Sequence, residues 1–297
     1  MMESWEGRFF VTFTTVLEEK SFSRAADKLR YAQSTVTAHI RHLETTSGKK
    51  LFHRLPRGVE PTENGLRLAP YAYEFIRLGQ SLQDAFADTG APSGIVRLAA
   101  LESFTVSHMP PFLTAFLQQF TKVKLRFAPG LKNDIIANVV NHQADAGILP
   151  MDPGRDDLHF TPLLEEKLML VCSPALRERI ERQGWGSLSD TAFISFGEQC
   201  IYHAYGRDVM QAAKVVLGDQ LSFSSVELIK QTVSCGIGIA FVPESNVRTE
   251  IADGTLLPLP YDRQLTMTHG VITRKGREPN SAAQAFLQQL TDYFKKQ

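Results

Sequence analysis

The chain is 297 residues long, 43% hydrophobic and 22% charged, with 32 Lys plus Arg balancing 32 Asp plus Glu. That length and composition imply two or three compact units of a globular protein. No run approaches the roughly 18 consecutive apolar residues of a membrane span. Cys172, Cys200 and Cys235 lie far apart with no C-x-x-C, which argues against a disulfide framework and a zinc site.

At the N-terminus, MMESWEGRFFVTF carries acids where a secretory leader needs positive charge, and a cytoplasmic protein is expected. From Arg8, the positions Phe9, Phe10, Phe13, Val16 and Leu17 form one stripe of an amphipathic helix. Ser21 or Ser23 can cap a second helix whose buried side is Ala25, Ala26 and Leu29. After a break at 30–32, Val36, Ile40 and Leu43 mark a third helix, and Gly48 stops it. Off the apolar face of that third helix lie Gln33, Ser34, Thr37, Ala38 and Arg41. Gln pairs with adenine, Arg with guanine and Ser or Thr with either, while an alanine methyl packs on thymine. The pattern predicts a helix-turn-helix whose second helix enters the major groove.

Charge is segregated in the same place. Residues 20–58 hold nine Lys or Arg (20, 24, 28, 30, 41, 49, 50, 54, 57) against Asp27 and Glu44, an excess of +7 that leaves the rest of the chain at −7. One polyanion-binding segment on a mildly acidic body is expected. Within it, Arg24, Lys28 and Arg30 are assigned to phosphates, and Ser23 and Thr35 complete the candidate contacts from these two helices. Two short strand-like pieces, 51–54 and 57–61, carry Arg54 and Arg57 and follow Lys49 and Lys50; they read as a wing beside the inserted helix. Thr62 with Glu63 then opens a long helical stretch, apolar at Leu66, Ala69, Tyr73, Ile76, Leu82 and Phe86. Such a stripe between two domains suits a helix that pairs with its twin, and Pro70 should remove one of its hydrogen bonds.

These spacings resemble the DNA-binding domain of LysR-type transcriptional regulators over residues 9–65. The family's S-F-S-x-A-A-x-x-L, Q-S-x-[VT]-[ST]-x-x-I-x-x-L-E, G-x-x-L-F-x-R and T-x-x-G are met by Ser21–Leu29, Gln33–Glu44, Gly48–Arg54 and Thr62–Gly65. Two positions depart from it. Lys20 stands where Gly is usual, and Ala32 stands where Ser, Thr or Pro is usual. The reading helix is therefore left without a side-chain cap, at a cost of about 1 kcal/mol.

Beyond the polar, Gly/Pro-rich 88–94, short β-type runs alternate with helical patterns. Strands are expected at 95–101, 122–128, 145–149, 168–173, 192–196, 238–243 and 265–273. Helices are expected through 109–120 and 133–143, after Ser173, Cys200 and Ser225, and over 281–296. The G-x-G of 236–238 follows a helix and precedes a strand, the reverse of a dinucleotide-binding loop.

Overall the expectation is α+β. Residues 1–62 form a winged helix-turn-helix, 63–90 a long linker and dimerisation helix, and 91–297 an effector domain. The family resemblance implies that this last is two-lobed and of periplasmic-binding-protein type, with lobe I about 91–165 and 260–297 and lobe II about 166–259. The ligand would lie between the lobes, where helix N-termini converge. Candidate lining residues are Glu102, Ser103, Phe104, Thr105, Lys132, Asn133, Ser195, Gln199, Cys200, Tyr202, His203 and Ser225. LESFTVSHMPPFL and FGEQCIYH resemble one branch of the family, with Gln199 and His203 in place of its Gly and Arg.

The resemblance implies a regulator that binds an interrupted palindrome of double-stranded DNA as a homodimer or tetramer, contacts RNA polymerase and answers to a small-molecule effector. No cofactor, metal or membrane partner is expected. The alternative within the family is redox sensing through Cys200, because some relatives sense peroxide through cysteines. A solute-binding protein is opposed by the basic N-terminal module, and an enzyme by the lack of any catalytic constellation.

Overall fold

A computed structural model describes residues 5–56, 58–85, 91–216, 218–261 and 265–296. Arg57 of the expected wing and the linker from 86 to 90 lie outside the described residues. Three helices come first: α1 (Gly7–Glu19), α2 (Phe22–Leu29) and α3 (Gln33–Ser47). Phe13, Val16, Ala25, Val36 and Leu43 close their shared core, and the two small side chains of Ala25 and Ala26 let α2 lie close to its neighbours. Of the two candidate caps, Ser21 is the one used: its hydroxyl accepts the Arg24 N–H at 3.3 Å, and Ser23 is exposed.

Both connections in this module use a left-handed residue that is not glycine. Lys20 (φ 49°) ends α1 and Arg30 (φ 56°) ends α2. Each costs about 1–2 kcal/mol of backbone strain. The core packing of the flanking helices holds them there. Ala32 precedes α3 with no side-chain cap bond, as its methyl dictates, and Gly48 (φ 66°) ends the helix.

The wing is a hairpin of β1 (Phe52–Leu55) and β2 (Gly58–Pro61), paired antiparallel. Glu44 ties α3 to it, accepting the Leu51 N–H at 2.9 Å and pairing with Lys50 at 2.8 Å. Thr62 caps α4 (Glu63–Ala85) by accepting the Gly65 N–H at 3.0 Å, while its own hydroxyl donates to the Lys50 carbonyl at 2.7 Å. A Cβ at Gly65 would lie 2.2 Å from the Leu51 carbonyl oxygen, so T-x-x-G is a steric requirement where helix and wing cross. The 23 residues of α4 span about 34 Å, with Pro70 inside.

The rest of the chain builds two lobes on one continuous strand path, β4-β3-β5-β11-β6-β9-β7-β8. Lobe I holds β3 (Gly94–Ala100), β4 (Val123–Pro129) and β5 (Ala146–Leu149), all parallel, with α5 (Glu102–Gln119) and α6 (Lys132–Val140) between them. β6 (Leu158–Cys172) is the outward crossing. It is 15 residues long, whereas its sequence suggests a strand only from Leu168. Lobe II follows with α7 (Pro174–Gln183), a 3-10 turn (Trp185–Leu188), β7 (Ala192–Ser195), α8 (Ile201–Ala212), β8 (Gln220–Ser222), α9 (Val226–Ser234), β9 (Gly238–Pro243), α10 (Glu244–Ala252) and β10 (Leu257–Leu259).

The chain returns along β11 (Thr266–Arg274) and closes on lobe I with α11 (Ser281–Phe294). β11 pairs with β6 from Thr266–Lys167 to Arg274–Leu158, so the two crossings lie side by side. Lobe I has one core, centred on Leu98, Phe104, Met109, Phe116, Ile148 and Phe286. In lobe II the strands alternate faces: Leu170, Phe193 and Phe241 pack one side, and Val171, Ile194 and Ala240 the other.

Candidate nucleic-acid interface and ligand cleft

The exposed side of α3 presents Gln33, Ser34, Ala38 and Arg41, about two and a half turns of small or polar side chains, with Thr35 and Thr37 half-buried at its edges. Opposite them Val36, Ile40 and Leu43 are buried, so the helix divides cleanly between core and solvent. Two histidines buttress it from behind: the His39 Nδ1 lies 2.8 Å from the Thr12 hydroxyl, and the rings of His39 and His42 pack on Phe9.

Exposed cations flank α3 along the chain. Arg24 and Lys28 on α2, Arg30 just after it, Lys49 and Lys50 before the wing, and Arg54 on it are all exposed, as is Ser23. They are not equivalent. Lys28 is paired with Glu18 (3.2 Å) and Glu19 (2.7 Å), Arg24 donates to the Glu19 carbonyl, and Lys50 is held by Glu44. The Arg54 guanidinium lies 5.1 Å from the Phe22 ring centre, which fixes its direction. Ion pairs this exposed are worth about 0–1 kcal/mol and can be exchanged for phosphates at little cost.

Between the lobes is a cleft of about 400 Å³ lined by Leu101, Glu102, Ser103, Pro129, Gly130, Leu131, Asp134, Phe196, Cys200, Tyr202 and Ser224. Of the expected lining residues it gathers Glu102, Ser103, Cys200 and Tyr202, and Ser225 reaches it through Glu102. Tyr202 Oη lies 3.2 Å from Ser103 Oγ across the gap; burial drives the phenol pKa upward, outweighing the opposing effect of that hydrogen bond. Asn246 of α10 donates to the Ser103 carbonyl at 2.9 Å and to the Ser107 hydroxyl at 2.5 Å. Deeper, His108 meets Glu166 at 2.5 Å, and Glu166 also accepts from the Ser245 N–H and hydroxyl at 3.1 Å each. Burial opposes ionisation of Glu166, yet these hydrogen bonds hold its pKa below the usual value.

Several expected lining residues are elsewhere. Phe104 is 1% exposed and packs in the core of lobe I, since one step along α5 turns it about 100° from Ser103. The Thr105 hydroxyl donates back to the Leu101 carbonyl in its own helix. Lys132 points to Met151, Asn133 is exposed beside it, and Gln199 is exposed on its loop. Ser195 and His203 bond each other at 2.9 Å inside lobe II, and His203 faces a second hollow with Arg207 and Lys214. His203 therefore does not take the cleft-side role of an arginine. The sequence reading missed Leu101, Pro129, Gly130, Leu131 and Asp134. The turn P-G-L after β4 was the available signal.

Cys200 is buried, and burial pushes its thiol pKa up despite backbone N–H groups aimed at it, which is the wrong direction for a reactive thiolate. Cys172 is buried too, its pKa pushed up to about 11, whereas Cys235 is exposed at the end of α9. These features disfavour redox sensing through Cys200. Among the described residues no cluster of His, Cys, Asp or Glu could hold a metal, and no helix is long and apolar enough to cross a membrane.

Comparison with known proteins agrees with this division. Residues 8–66 match the family described as bacterial regulatory helix-turn-helix protein, lysR family, and residues 89–295 match the LysR substrate binding domain. The chain is 30% identical to the HTH-type transcriptional regulator YfiE of Escherichia coli K12, over 97% of this chain and 98% of that one. It is 30% identical to the regulator CzcR of Bacillus subtilis over 84% of each. In fold it is similar to ArgP of Mycobacterium tuberculosis (TM-score 0.74, 16% identity, 98% of this chain and 97% of that one). A full-length OxyR of Pseudomonas aeruginosa is also similar (TM-score 0.72, 18% identity, 98% and 95%).

Proposed function

Because the chain belongs to the LysR family of transcriptional regulators, a DNA-binding regulator with an effector-binding domain, we propose that α3 reads its operator and that the interlobe cleft takes the effector. The observation that carries this reading is the surface of α3. It is a solvent-facing row of Gln33, Ser34, Ala38 and Arg41 on a helix whose other side is core, in a segment rich in exposed cations. Arg41 and Gln33 specify bases; Arg30, Lys49, Lys50 and Arg54 hold phosphates.

Dimerisation through α4 is part of the proposal. Of the expected stripe, Ala69, Tyr73 and Ile76 pack into the core of the DNA-binding module instead; Leu66, Tyr71, Phe75, Leu78 and Leu82 are exposed along α4, an apolar surface that a second copy would cover. Two such modules would place two reading helices on an interrupted palindrome. A further pairing to a tetramer, contact with RNA polymerase and a cytoplasmic location belong to the same reading. Gel shifts across a salt series test it. Arg41→Ala should cost about 1–3 kcal/mol on the operator and little on random DNA. Lys49→Ala should weaken both and lower the salt slope by about 1. Equal effects of the two variants on specific and random DNA would sink the division into readers and clamps.

A further inference from the structure

Helix α9 begins at the cleft with Ser225 as its N-cap, yet the Ser225 side chain caps none of its amides. The cap comes from the other lobe. The Val226 N–H donates to Glu102 Oε2 at 3.0 Å, and the Ser225 hydroxyl donates to Oε1 at 3.3 Å. The start of a helix favours a negative charge, and here the chain supplies one itself, on a side chain that reaches over from α5. The rest of the lining fits that arrangement. Its charged members among the described residues are Glu102 and Asp134, both acids, and Lys132 beside it is turned to Met151. Leu101, Pro129, Leu131 and Phe196 supply an apolar wall.

We propose that Glu102 is a built-in occupant of the anion position at the start of α9, and that the cleft consequently selects an uncharged or ammonium-bearing effector with an apolar body. A carboxylate ligand would meet the negative charges of Glu102 and Asp134, and the amide at the start of α9 is already taken. An amine or neutral polar group meets acceptors at Glu102, Asp134 and Ser103, while its body lies against Phe196 and Leu131. The inference rests on the cleft being the effector site.

Glu102→Ala removes the atoms of one acetate ion, so acetate is the probe. The full-length chain is melted in sodium acetate and in sodium chloride of equal ionic strength at neutral pH. The alanine variant should melt lower than wild type in chloride. It should regain about 3–5 °C in acetate at ten times the dissociation constant. Wild type should melt alike in both salts. Glu102→Ser, read the same way, covers the case in which the alanine variant does not fold. An equal acetate response in wild type, or none in the variants, overturns the proposal. The underlying reading fails by a separate result: a compound that changes operator binding, and whose stabilising effect survives Phe196→Ala, acts outside the cleft whatever acetate does.

Discussion

His269 makes the stability of the effector domain fall between pH 7 and pH 5. It sits on the returning strand β11, 1% exposed, with its ring 5.2 Å from that of Phe104 and its Nε2 3.5 Å from Tyr202 Oη. Its Nδ1 has no protein partner among the described residues. Burial pushes the imidazole pKa down to about 4; the Glu166 charge works against that shift and His108 with it. The unfolded chain protonates this group near the ordinary value of 6.5, whereas the folded chain resists until about pH 4. Stability is therefore fully present above about pH 6.5 and is lost as pH falls toward 4. With those two values the linkage relation gives a loss of about 2 kcal/mol at pH 5 and about 3 kcal/mol once both states are protonated. At pH 5 Glu166, whose pKa is depressed, still contributes its share, so the acid limb of the carboxylates does not obscure the effect. His39, His142 and His203 also have lowered pKa values, and they cancel between two proteins that differ only at 269. The assay is urea unfolding at pH 7.5 and pH 5, followed by Trp185 fluorescence with Trp5→Phe removing the other tryptophan. Wild type should lose about 2 kcal/mol more than His269→Asn between the two pH values. Equal losses would mean that the folded state protonates His269 as readily as the unfolded one, and the burial argument would be wrong.

Two further outcomes follow from the DNA-binding module. Ala32→Ser supplies the missing cap of α3 and should stabilise that module by about 1 kcal/mol, read as a higher melting temperature of the full chain's first transition. Gly65→Ala drives a methyl into the Leu51 carbonyl and should cost about 2 kcal/mol or more; an operator affinity and melting curve unchanged from wild type would disprove the steric account of T-x-x-G.

Much of the fold was legible because the signals were periodic: the stripes of α1 to α3, the runs of β3, β7 and β9, and α11 all fall within a few residues of where the pattern puts them. The misses have physical causes. The first half of β6, Leu158–Lys167, carries Pro162, Glu165, Glu166 and Lys167, residues that disfavour a strand alone; pairing with β11 overrides them. α10 offers only Val247 and Ile251 as an apolar stripe, too little to stand out without its docking on α5 and β6. In the cleft, the sequence located the right segments and then took neighbours along a helix as neighbours in space. Ser103 and Tyr202 face the gap, while Phe104 and His203, one residue further, turn into the lobes.

The bonds across the cleft set a scale for what an effector must do. Glu102 to α9 carries a charge and is worth about 1.5–3 kcal/mol, and the neutral bonds of Ser103 to Tyr202 and of Asn246 to Ser103 and Ser107 about 1 kcal/mol each. Together they approach the roughly 5.5 kcal/mol needed to carry a two-state equilibrium from 1:99 to 99:1. A ligand that displaced only one of them would shift the lobes too little to act as a switch. Ser103 stands in two of these bonds and adjoins Glu102, so a molecule seated against α5 can exchange most of the set at once. The far side of that helix packs Phe104 on Phe294 of α11, and the Arg77 guanidinium of α4 donates to the Glu278 carbonyl, just before α11, at 2.6 Å. A ligand that moves α5 therefore acts on an element that touches both the cleft and the helix packed beside the DNA-binding module's linker, and it biases operator binding only to the extent that these contacts differ between the two lobe arrangements.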